Sequence, residues 1–241
     1  MTGSVRLQNI ESVINRYNEI DMPLRFTFTN SLLEEKHIHD TYCNLILESA
    51  NNGMNEILVN SSILENYLRD KYPNFKYILS TTRCERDINK INEFAKQYDM
   101  VVTDFRDNHN LDFLNKIEDK SKVELLVNSY CDPNCERRKL HYDKISKNQL
   151  LYRVARMDSE DVMICSTYNR NFYDIFELSS VITVDQLYNE YVPMGFSNFK
   201  IEGRTSHLVD VIESYIYYMI KPEHQNEIRL YLLRKCVPWQ E

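Results

Sequence analysis

VELLVNSYCDPNC, Val123 to Cys135, opens with an apolar run that does not alternate with polar residues, stops at Asn128, and is followed by two cysteines four positions apart. A run of that kind suits a parallel strand buried on both faces, not a half-exposed antiparallel one. The same pattern recurs on both sides. Before it come LRFTFTN (24–30), EILVNS (56–61), KYILSTT (76–82) and MVVTDF (100–105); after it come VMICS (162–166), SVIT (180–183) and NFKIE (198–202).

The intervening segments read as helices. Ile88, Ile91, Phe94 and Tyr98 share one face at helical spacing. Ser62–Tyr72 begins with a serine suited to a cap, and NNG (51–53) and PMG (193–195) read as helix stops. Arg6–Ile20 adds a helix before the first strand, Ser206–Ile220 forms a long one near the end, and the chain closes on a further helical piece. Eight strand–helix units predict a single α/β domain, residues 1–241, folded as a (β/α)8 TIM-type barrel, with the last units the least regular. A doubly wound open sheet is the main rival. No Pro/Gly/Ser-rich linker interrupts the chain.

Composition narrows the function. The chain has 241 residues, 43% hydrophobic and 27% charged, with a net charge of −7. That balance disfavours a broad nucleic-acid-binding surface. The four glycines, Gly3, Gly53, Gly195 and Gly203, cannot form GxGxxG or a P-loop. No run approaches the ~18 apolar residues of a membrane span. The N-terminus lacks the pattern of a signal peptide, so a cytoplasmic protein is expected, with its six cysteines reduced or acting as ligands. Neither GxSxG nor HExxH is present.

In a barrel, ligands bind where strands end. Cys84 follows the third expected strand, Cys131 and Cys135 the fifth, and Cys165 lies late in the sixth. Four thiols from three segments then gather at one mouth, and thiolates suit zinc or an iron–sulfur cluster. Zinc fits less well, because a barrel with a large core needs no metal staple. Against both stands the commoner use of cysteine as a small buried hydrophobe. Cys43 and Cys236 read as structural, although Cys43 is near enough to the first loop to replace Cys84 as a ligand.

GFSNFKIEGRTSHLVDVIESYIYYMI, Gly195 to Ile220, resembles the C-terminal signature of the collagenase-like peptidase family, the thirty-second family of unassigned catalytic type. Lys200-Ile201-Glu202-Gly203-Arg204 is its most specific part. VELLVNSYC, STT (80–82) and VMIC resemble its other strands, while CDPNC is shorter than the family's cysteine motif. The resemblance implies a barrel. In several members it also implies a 4Fe–4S cluster held by four cysteines and used in oxygen-independent hydroxylation of an RNA base or a quinone-type substrate. Here the ligands would be Cys84, Cys131, Cys135 and Cys165. Peptidase activity is the alternative, and a non-catalytic partner subunit of a related barrel is a third reading.

Further candidates come from the residues themselves. Glu202 and Arg204, two apart, share one side of an extended strand and are read as the catalytic pair, or else as a structural ion pair. Arg137 and His141, one helical turn apart, offer an anion site, though Arg137, Arg138, Lys139 and His141 equally describe a solvated face. Asn128 and Asp104 end strands and are expected to line the pocket. His37 and His39 diverge on a helix and do not share a metal.

Overall fold

The computed structural model describes residues 7–151, 170–203 and 207–236. The elements run α1 (Leu7–Asn18), β1 (Arg25–Phe28), α2 (Thr41–Ala50), β2 (Glu56–Val59), α3 (Ser62–Lys71), β3 (Lys76–Leu79), α4 (Ile88–Gln97), β4 (Met100–Val102), α5 (Leu111–Asn115) and β5 (Val123–Leu126). They continue with α6 (Arg138–Leu150), α7 (Val184–Gln186) running into a π-helical turn at Leu187–Tyr191, β6 (Asn198–Lys200), α8 (Leu208–Met219) and α9 (Gln225–Cys236). Two compact units divide the chain: Met1–Val102 with Glu136–Met163, and Thr103–Cys135 with Ile164–Glu241. No described helix is long and apolar enough to cross a membrane.

In the first unit β1 pairs with β2, β2 with β3 and β3 with β4, all parallel. The apolar runs behave as their composition demands: Ile57, Leu58 and Val59 of β2 and Tyr77, Ile78 and Leu79 of β3 are buried, whichever face they project from. α3 and α4 cover them with Leu64, Leu68, Ile91 and Ala95. Asp87 caps α4, its carboxylate accepting from Asn89 N. Gly53 ends the turn after α2 with φ +86°, a conformation that a side chain would strain. Asn55 is buried and ties the start of β2 to its surroundings: its Oδ1 accepts from Leu24 N at 2.9 Å, and its amide donates to Ala50 O at 3.0 Å.

In the second unit β5 pairs in parallel with β6, Leu125 opposite Phe199 and Leu126 opposite Lys200. All four β5 residues are buried. Asn128, 0% exposed, fastens the chain beyond β6: its Nδ2 donates to Glu202 O at 2.8 Å and its Oδ1 accepts from Glu202 N at 2.6 Å. Gly203 sits where a Cβ would come within 3.3 Å of Val211 Cγ2, so the last residue of that extended stretch is held tight against α8. α9 buries none of its residues. Its anchor is Arg229, whose Nε and Nη2 donate to the two oxygens of buried Glu213 at 2.7 and 2.9 Å.

The expected closed eight-stranded barrel is not what forms. The described residues hold six parallel strands. Among them β1 pairs only with β2, and β6 only with β5. The eighth expected strand therefore lies directly beside the fifth. VMICS, the sixth, lies outside the described residues. SVIT, the seventh, joins no ladder: Ser180 lies in a turn, Ile182 N makes one backbone bond, to Val127 O at 2.9 Å, and side chains take the carbonyls. Asn108 Nδ2 donates to Ser180 O at 2.7 Å, His109 Nε2 contacts Val181 O at 2.9 Å, and Tyr218 Oη donates to Ile182 O at 3.0 Å. Three successive carbonyls are taken by side chains, so no neighbouring strand is needed to satisfy them.

Two outcomes follow for the second unit. Asn128→Ala strands the amide and carbonyl of Glu202 and should cost about 3 kcal/mol, read as a lower urea midpoint. Glu213 is held below the usual carboxylate range, first by its hydrogen bonds from Arg229. A lowered pKa gives stability that is present above the unfolded value and lost as pH falls through the folded one. The stability gap between wild type and Glu213→Gln should therefore be full near neutrality and close on the acid side. A gap independent of pH would contradict the ion pair's role.

Candidate functional site

The chain leaving β3 turns at once. Ser80 Oγ accepts from Thr82 N at 3.2 Å and caps a single 3-10 turn, Thr81–Arg83. Asn60, just beyond β2, donates to Thr82 Oγ1 at 2.9 Å and fixes that turn to its neighbour. Cys84 ends it in the left-handed region, φ 55° and ψ 30°. Among the described residues only Asp21 shares a positive φ without being glycine. Held off the favoured backbone regions, the half-exposed Cys84 lies at the carboxyl end of a parallel strand, where such sheets bind ligands.

α6 is laid across these strand ends by polar contacts. RKLHYDKISKNQL has few apolar residues, and its buried side chains are Arg138 and Ser146. Beyond β1, Ser31 Oγ donates to Asp143 Oδ1 at 2.8 Å, and Asn30 Nδ2 donates to Ser146 O at 2.9 Å. Beyond β3, the Arg138 guanidinium, 4% exposed, contacts Thr81 O at 3.4 Å, Thr81 Oγ1 at 3.2 Å and Cys84 Sγ at 3.5 Å. It also donates to Tyr142 Oη at 3.2 Å and lies over that ring, 5.2 Å from its centroid. The Cys84 sulfur meets Thr82 O at 3.6 Å on its other side. As a thiol it donates to that carbonyl; as a thiolate it gives up this weak bond and gains a charge-assisted one from Arg138.

Cys43 has the opposite surroundings. Burial, then the Asp40 carboxylate beside it, pushes its thiol up to about 12. It is a protonated thiol near neutral pH. Cys131 and Cys135 are half-exposed, in no disulfide, and lie in the second unit. The turn between them forms as the Asp-Pro-Asn sequence suggests: Asp132 Oδ1 accepts from Asn134 N at 2.8 Å and Asp132 O from Cys135 N at 3.1 Å.

The remaining candidates are placed as follows. Asp104 is buried, accepts from Arg106 Nε at 2.9 Å and Nη2 at 2.7 Å, and caps the turn after β4. Asn128 spends its amide on Glu202. Glu202 is half-buried with its backbone pinned. Arg137 is an exposed N-cap without a side-chain cap bond. His141 stacks on Tyr142 with ring centroids 6.2 Å apart, and burial pushes its imidazole down, so it is no standing cation at neutral pH. Arg204 and Cys165 lie outside the described residues. Sequence reading missed Arg138 among its charged neighbours, although Arg138, Tyr142 and Ser146 recur at four-residue spacing and so share one helix face.

Among the described residues no three His, Cys, Asp or Glu side chains are grouped so as to hold a metal. A 4Fe–4S cluster takes four thiolates together. The described cysteines do not by themselves make that donor set.

These features define a class: a parallel α/β fold with a thiol–guanidinium pair at its strand ends. Among solved structures the chain is similar to the U32 peptidase Mk0906, with a TM-score of 0.52 and 11% identity, over 86% of this chain and 80% of that one. At that identity the likeness is one of fold. It agrees with the resemblance carried by KIEGR at the level of the family's fold. No protein-family model matches the sequence, and no curated protein matches it.

If Arg138 favours the thiolate, iodoacetamide at neutral pH should modify Cys84 about tenfold or more faster than Cys43, counted by peptide mass spectrometry. Arg138→Gln should slow Cys84 several-fold and leave Cys43 unchanged, since Cys43 is slow on its own account. Equal rates in wild type would contradict it.

Proposed function

We propose that the protein is an enzyme of the fold it shares with the U32 peptidase, with the Cys84 sulfur as the atom that bonds its substrate. The observation that supports this is the buried Arg138 guanidinium 3.5 Å from Cys84 Sγ, at the carboxyl end of β3. A cation there raises the thiolate fraction of a half-exposed sulfur, and the thiolate is the nucleophilic form. Thr81 and Tyr142 hold the guanidinium in place, and the turn capped by Ser80 holds the sulfur. These residues are positioning groups; Cys84 is the reacting one.

The cluster reading uses the same sulfur differently, as one of four ligands with Cys131, Cys135 and Cys165. Nucleophilic use needs only the one sulfur and its cation, and for that reason it is the reading the geometry favours. Peptidase action is one outcome of such a nucleophile, and the solved relative's name makes peptide substrates the first to try.

One preparation separates the two uses. The protein is purified without oxygen, assayed for iron and sulfide, and labelled with a limiting iodoacetamide fluorophore. The thiolate reading expects iron-free, folded protein labelled first at Cys84, ahead of the more exposed Cys236. About four irons per chain, lost in Cys84→Ser and in Cys131→Ser, would return the cluster as the function. Labelling of Cys84 no faster than Cys236 in iron-free protein would sink both.

A further inference from the structure

Thr81 and Cys84 stand three residues apart on the 3-10 turn that leaves β3, the spacing at which side chains of such a turn eclipse one another. Both meet Arg138. Its Nη2 donates to Thr81 Oγ1 at 3.2 Å and its Nη1 to Cys84 Sγ at 3.5 Å, so one planar cation binds a hydroxyl and a sulfur of the same turn. The guanidinium is buried, whereas Cys84 is half-exposed. A fixed cation therefore stands on the protein side of a cysteine that solvent reaches.

Among the described residues no histidine is hydrogen-bonded to that sulfur. All six have other places: His37 Nδ1 accepts from Glu34 N, His39 packs on Tyr67, His109 contacts Val181 O and Tyr191 Oη, and His141 stacks on Tyr142. His207 and His224 are exposed in the second unit. Arginine stays charged and gives no proton away. An amine leaving group needs an acid to protonate it, usually an imidazole. A bond weak enough to break without one does not. Thiolate character and exposure are also the two properties that direct oxidants to one cysteine among several.

We propose that Cys84 reduces hydroperoxides, an activity that rests on the thiolate reading of this site and names its substrate class. The Sγ thiolate attacks the terminal oxygen of the peroxide. An S–O bond forms, the O–O bond breaks, and its electron pair leaves on the far oxygen, which takes a proton from water. Sulfur is oxidised to a sulfenic acid, and the peroxide is reduced to an alcohol, or to water when it is hydrogen peroxide. Negative charge passes from the sulfur to the departing oxygen beside a guanidinium already in place to stabilise it. A small thiol then condenses with the sulfenic acid, releasing water and leaving a mixed disulfide, and a second thiol frees Cys84.

The test uses the whole chain, purified without oxygen, and two reagents. Iodoacetamide reads the thiolate. Hydrogen peroxide at one equivalent, with the sulfenic acid trapped by dimedone and located by peptide mass spectrometry, reads the thiolate and the stabilised departing oxygen together. Cys84 should lead the exposed Cys236 with both reagents, and its lead should be about tenfold or more larger with peroxide. With excess glutathione the wild type should consume peroxide over many turnovers, and Cys84→Ser should not. A Cys84 that leads with iodoacetamide but gains nothing further with peroxide overturns the hydroperoxide activity and leaves the thiolate standing. A Cys84 that leads with neither reagent overturns both. Peroxide consumption unchanged in Cys84→Ser overturns the activity as well.

Discussion

The guanidinium of Arg138 is the contact on which the first unit's strand-end chemistry depends. A helix as polar as α6 has little apolar surface with which to dock. It is held by directed bonds, at one point through Ser31, Asp143 and Ser146, and at another through Arg138. A buried guanidinium is costly unless most of its donors are met; here Nη1 and Nη2 are met and the buried Nε is not. Thr81 and Tyr142 meet several, and the Cys84 sulfur takes another. The side chain that fixes the helix to Thr81 thus also places a cation beside the Cys84 sulfur.

The second unit solves a different problem. Residues 180–182 have the composition of a strand, yet Asn108, His109 and Tyr218 occupy their carbonyls. Asn128 does similar work for Glu202 beyond β6. Side-chain amides and a phenol thus stand in for ladder bonds. Such groups have fixed directions, so they impose a unique geometry where a slipping ladder would not. Among the described residues β6 pairs directly with β5.

This contrast explains what the sequence could disclose. Apolar runs such as EILV, KYIL and VELL register burial on both faces, a local property, and their strands start where expected and end two or three residues early. Caps and helix stops at Asp87 and Gly53 are local too. The failure of SVIT to pair was not legible, because it depends on side chains more than thirty positions away in either direction. Asp104 and Asn128 read as pocket groups because strand ends usually are; their partners within the fold, Arg106 and the backbone of Glu202, are not legible in the sequence. Cys43 and Cys84 look alike in sequence, and only their neighbours, a carboxylate for one and a guanidinium for the other, set them apart.

The most direct measurement is the ultraviolet absorbance of the thiolate in iron-free protein, taken as the difference between wild type and Cys84→Ser at neutral pH. The account predicts a thiolate signal in that difference that largely disappears when Arg138 is also replaced by Gln. A difference spectrum with no thiolate band, or one indifferent to Arg138, would show the sulfur to be an ordinary thiol and would remove the proposed chemistry.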